Sequence, residues 1–138
     1  MMQEDIKILP DLQFSVLCDD VRREHNGKII LIGLFETIGS TRFPVHHPSL
    51  FVVNRWCNGA GRFRQKTVIR TPEDKVLAED SETQIILNDL KSKHTVIARF
   101  NNLRFNVPGE YAIDIRLDGE SKIRYPLVLL KGERPSAG

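Results

Sequence analysis

The sequence predicts an all-β protein, an antiparallel β-sandwich of two sheets and about eight strands. Three observations carry that expectation. Apolar residues recur at every second position in run after run, the period of a strand with one buried face. Gly, Asn, Asp and Pro separate the runs at roughly ten-residue spacing. No run shows the 3.6-residue period of an amphipathic helix; only residues 88–93 could hold a helical turn, too short to pack as a layer.

Each element has its own justification. Leu12, Phe14, Val16 and Cys18 alternate with Gln13, Ser15 and Leu17. Residues 28–38 are almost continuously apolar, which suits a central strand covered on both faces or one face held against another subunit. Gly33, inside that run, predicts a bulge or a close backbone approach. Residues 50–56 carry apolar side chains on both parities, whereas Phe63, Gln65, Thr67 and Ile69 oppose Arg62, Arg64, Lys66 and Arg70. Residues 81–87 are rich in Thr and Ile, and Val96, Ala98 and Phe100 share a face in the run that follows. The clearest signal comes last. Tyr111, Ile113, Ile115 and Leu117 alternate with Ala112, Asp114, Arg116 and Asp118, and Ile123, Tyr125, Leu127 and Leu129 resume the parity after Asp118-Gly119. For Ile115 and Leu117 to share a face with Ile123 and Tyr125 in an unbroken ladder, the loop must hold an odd number of residues, three or five. Pro126, with no N–H to give, predicts an edge or a local bulge in the final strand. Asn26-Gly27 supplies a tight hairpin turn, Asn58-Gly59-Ala60-Gly61 another, and Pro44 and Pro48 around His46-His47 mark a longer loop.

Size and charge narrow the functional classes. A chain of 138 residues is one domain, 1–138, with an ordered core of about 11–130 and a flexible tail at 131–138. It is long enough to build a core without disulfides or metals. A formal charge of +2 does not point to nucleic acid, and no apolar run is long enough for a transmembrane helix. The start has acids where a secretory signal has a basic end and an apolar block, so the expected location is cytoplasmic. Cys18 and Cys57 are the only cysteines and are expected as reduced thiols; Trp56 abuts Cys57 instead of lying between separated cysteines.

Two polar groupings are candidate sites. Asp19 and Asp20, with Glu24 and His25 close by, could supply oxygens to Ca²⁺ or a nitrogen to zinc. The alternative is structural, with one carboxylate accepting backbone N–H groups as the chain leaves its strand. Arg62, Arg64, Lys66 and Arg70 form a basic stripe along one strand face, beside a segment holding Glu73, Asp74, Glu79, Asp80 and Glu82. The stripe could bind an anionic ligand, but adjacent blocks of opposite sign are better explained by pairing across neighbouring strands. His46 and His47 are expected to point in opposite directions, and a Cys57–His pair has no third group to orient it. No phosphate loop, nucleophile elbow or zinc motif is present.

The stretch Phe105-Asn106-Val107-Pro108-Gly109-Glu110-Tyr111 with the following Asp-Gly hairpin resembles the closing strands of immunoglobulin-like and macroglobulin-like sandwiches, which implies an immunoglobulin-like fold and no activity. The opening, with Cys18-Asp19-Asp20-Val21-Arg22, Asn26-Gly27-Lys28 and Leu31-Ile32-Gly33, resembles a family of small, uncharacterised bacterial proteins of nearly this length. That resemblance implies a stand-alone cytoplasmic sandwich and carries over no catalytic residue or cofactor. The expectation is therefore a non-enzymatic binding or assembly module, acting on a protein partner or forming a homodimer. The alternatives are a Ca²⁺- or Zn²⁺-dependent hydrolase built on Asp19, Asp20, Glu24 and His25, and an anion-binding face at Arg62, Arg64, Lys66 and Arg70.

Overall fold

The computed structural model describes residues 7–132 and contains ten strands in two sheets. The strands are β1 (Asp11–Arg23), β2 (Ile29–Phe35), β3 (Thr37–Ser40), β4 (Val45–Cys57), β5 (Gly61–Arg70), β6 (Val76–Glu79), β7 (Thr83–Leu87), β8 (His94–Phe105), β9 (Gly109–Leu117) and β10 (Glu120–Lys131). One sheet has the order β2-β1-β4-β8; the other runs β3-β10-β9-β5-β6, with β7 also paired to β5. All pairs are antiparallel except β3 with β10. The all-β sandwich expected from the alternation is what forms.

Its core is the set of inward side chains. Tyr111, Ile113, Ile115, Leu117, Leu127 and Leu129 of the six-stranded sheet meet Leu17, Leu50, Val52, Trp56, Val96 and Ala98 of the four-stranded one. Tyr125 is half-buried at the border and its hydroxyl bonds Ser15 Oγ across the sheets at 2.7 Å. Phe105 and Tyr111 pack edge to face at 5.1 Å, while the Tyr111 hydroxyl donates to Val107 O at 2.7 Å. The interior also contains a polar group. Asn54 Nδ2 donates to Gln65 Oε1 at 2.8 Å and Thr67 Oγ1 at 3.1 Å, and Trp56 Nε1 reaches the same Gln65 oxygen at 3.4 Å. Asn54, Gln65 and Thr67 are fully buried, and these bonds offset part of their desolvation, while Asn54 Oδ1 has no partner among the described residues.

Several local expectations are corrected. Residues 28–38 are not one central strand: β2 is the border of the four-stranded sheet, and after Glu36 the chain crosses to the other sheet as β3. His46 and His47 lie within β4, opposite Arg104 and Leu103, because the strand runs through Pro48. The closing hairpin has a two-residue turn, Asp118-Gly119, with φ of 50° and 83°. Positive φ at both positions matches the right-handed twist of the flanking strands. The odd residue needed for parity sits instead in β10, as a bulge between Ser121 and Ile123, after which Ile123 faces Ile115 and Tyr125 faces Ile113. β6 is an additional short strand, and it shares the flank of β5 with β7: Val68, Ile69 and Arg70 pair with β6, while Gly61 to Gln65 pair with β7. Pro126 pairs with Ala112 on one side, and β3 begins only at Val128 on the other, so β10 is locally a border at the proline. Lys131 belongs to β10 and Gly132 N donates to Ser40 O at 2.9 Å, so the first two residues of the expected tail are held, and residues 133–138 lie outside the described residues.

Candidate functional site

β1 carries Asp19 and Asp20, and the turn after it carries Glu24 and His25. Asp19 faces Gly33, whose φ of 72° excludes most side chains and where a Cβ would collide with the Asp19 carboxylate. That close approach is the role expected of Gly33. Asp20 accepts the Val21 N–H at 2.8 Å and the Arg22 Nε at 2.7 Å. The Arg22 bond, with that of Val21, holds its carboxyl below the usual carboxylate range. Among the described residues, no three of His, Cys, Asp or Glu come together as a metal would require. The local carboxylate bonds expected of a strand exit are present, and the four candidate ligands do not converge.

β5 presents Arg62, Arg64, Lys66 and Arg70, but the stripe divides along its length. Lys66 Nζ meets Glu79 Oε2 across the β5–β6 ladder at 3.2 Å. Arg70 turns to Asp114 on β9, with Nε to Oδ2 at 3.0 Å, and lies 3.8 Å from Asp74. Arg62 and Arg64 stand opposite Ile86 and Gln84 of β7, are exposed, and form no ion pair among the described residues. Half of the stripe is thus engaged by the protein's own acids.

The residue that organises this face is Asp114, which sequence reading placed simply on the wet side of its strand. Its side chain is fully buried. Ser121 Oγ donates at 2.6 Å, Arg70 Nε at 3.0 Å and Arg116 Nη1 at 3.2 Å, with Arg124 Nη2 at 3.5 Å. Arg124 also reaches Asp74 at 2.9 Å. Burial pushes the Asp114 carboxyl up, but the bonds from Ser121, Arg70 and Arg116 and the charge of Arg124 outweigh it, leaving it below the usual range. The only advance signal was the coincidence of Arg116 and Arg124 with Asp114 on the outward parity of the last hairpin.

The thiols take no part in a polar site. Cys18 and Cys57 are buried and free, and burial, with the nearby Asp19 charge, raises the Cys18 pKa. His46 and His47 begin β4 and Cys57 ends it, so the extended strand separates them by roughly 30 Å. A Cys–His pair from these residues cannot assemble.

The largest surface anomaly lies on β2. Ile30, Ile32 and Leu34 are 41%, 43% and 61% exposed in a strand that carries no charge and, among the described residues, has no neighbour on its outer flank. Leu34 and Phe35 continue into a groove of about 800 Å³ that passes Tyr125, Val128 and Leu130. Native sheets normally guard such borders with charge, proline, bulges or brevity. The others here are guarded by brevity or charge: β3 and β6 have four residues each and β7 has five, while β8 carries Arg99 and Arg104.

No helix among the described residues is long and apolar enough to cross a membrane. Comparison with protein families matches residues 13–130 to DUF6941, described as a family of unknown function, in keeping with the resemblance of the opening motif to a small uncharacterised family. No curated protein matches the chain.

Proposed function

The chain belongs to DUF6941, a family of unknown function, and from its sheet borders we propose that it is a non-enzymatic assembly module that binds another polypeptide chain by strand addition at β2. The observation that carries this reading is the exposed row Ile30, Ile32 and Leu34 on a seven-residue border with no partner strand among the described residues. Strand addition satisfies the outward backbone N–H and C=O groups of such a border, and side chains on alternate positions supply the apolar contact. Burying three aliphatic side chains contributes on the order of 1 kcal/mol or more each, which joins the ladder hydrogen bonds against the cost of association.

The test is light scattering across micromolar concentrations for the wild type and for Leu34→Lys. A mass above one chain that the lysine variant removes supports the proposal. A wild-type protein that remains a single chain throughout overturns it in its self-associating form.

A further inference from the structure

The composition of β2 and its flanks narrows what the partner strand must be. Lys28 and Glu36 are the residues immediately before and after the strand, and both are exposed, Glu36 at the bend from which the chain crosses to β3. An antiparallel copy of the same segment, turned about a two-fold axis at Ile32, sets Ile32 against Ile32. The same turn sets Ile30 against Leu34 and Lys28 against Glu36. Every apolar residue of the exposed row then meets an apolar one, and each end closes on a pair of opposite charges. Sliding the copy by two residues in either direction sets Lys28 against Leu34, or Glu36 against Ile30, which desolvates a charge with nothing to pair it. A one-residue slide turns the two rows to opposite faces. The segment is therefore complementary to itself in one register, as an isologous interface requires.

Resting on the assembly reading, we infer that the partner is a second copy of this chain, joined antiparallel through β2 with Ile32 on the two-fold axis and Lys28 against Glu36 of the other copy. The pairing continues β2-β1-β4-β8 into one sheet spanning both subunits.

Charge reversal tests the register. Lys28→Glu alone places two acidic pairs across the axis, and Glu36→Lys alone places two basic pairs. Each is expected to weaken self-association by about tenfold or more. Mixing the two variants in equal amounts restores both pairs, and the mixture is expected to recover the mass of two chains. Ile32→Cys is the independent reading. Opposed Cα atoms in an antiparallel pair lie about 4.5–5.5 Å apart, within disulfide range. Mild oxidation should therefore link two chains through that position, since Cys18 and Cys57 are buried. The register is overturned if either single reversal leaves association unchanged, if the mixture binds no tighter than its components, or if Ile32→Cys stays a single chain under conditions where the wild type associates. Those results leave the assembly reading standing, whereas a monomeric wild type removes this inference together with the self-associating form of that reading.

Discussion

Replacing Asp114 by alanine removes the shared acceptor of Ser121, Arg70, Arg116 and Arg124 at the centre of the outer face of the six-stranded sheet. The side chain has no exposed surface, and its arginine partners are 18%, 27% and 42% exposed, so the cations regain only part of their hydration when the acid is lost. Breaking a buried pair by removing one partner costs about 3–5 kcal/mol. Partial solvation of the arginines places Asp114→Ala at the lower end, about 3 kcal/mol. With a urea slope on the order of 2 kcal/mol per molar, the unfolding midpoint should fall by about 1.5 M. The cost also has a pH signature. The folded carboxyl titrates below its unfolded value of about 3.9, so its stabilisation is complete above that pH and disappears as pH falls through the folded value. The stability gap between wild type and variant should therefore narrow below about pH 4. Asp114→Asn, which preserves shape and one acceptor, should cost less at neutral pH. A cost below about 1 kcal/mol at pH 7, or a gap unchanged in acid, would refute this account of the cluster.

Gln65→Leu leaves Trp56 Nε1 without its acceptor and deprives Asn54 Nδ2 of one of two, and should cost about 2 kcal/mol in urea unfolding. Trp56 is the only tryptophan, so its emission should shift in the folded variant as well; an unchanged spectrum and midpoint would contradict the bond. Burial pushes the Tyr125 hydroxyl up to about 12, against a smaller lowering by Ser15. Because the unfolded value is near 10, the stability this neutral hydroxyl provides is intact below about pH 10 and is lost as pH rises toward the folded value, by roughly 2–3 kcal/mol in all. Tyr125→Phe should be less stable at neutral pH and show a shallower alkaline decline; equal slopes would dismiss the buried hydroxyl as its cause.

Strand existence was readable where alternation was strict. Tyr111, Ile113, Ile115 and Leu127 are buried as their two-residue spacing required, and Tyr125 packs against the same core. Parity alone could not say where the extra residue of the closing hairpin belongs: a three-residue loop and a two-residue turn followed by a bulge give the same faces. The apolar content of β2 was visible, but a strand's place in its sheet depends on which segments flank it, and no local feature reports that. Asp114 was hidden for the same reason. One of its arginines comes from β5, distant in sequence, and three long side chains can bury an outward-facing residue that alternation assigns to water. The stripe on β5 was half legible, since Lys66 and Glu79 do pair across adjacent strands. Arg70 found its acid on the opposite neighbour, β9, and Arg62 and Arg64 form no ion pair among the described residues.

The division of the β5 flank between β6 and β7 has a consequence for how far any aggregate could extend. Neither short segment offers a foreign strand more than five consecutive residues to zip against. Polymerisation into a ribbon needs two competent ends per subunit, and on the assembly reading the described strands offer one, β2. Growth therefore stops once that end is occupied, and a lesion lengthening β6 or β7 into a continuous strand would be the route to fibres.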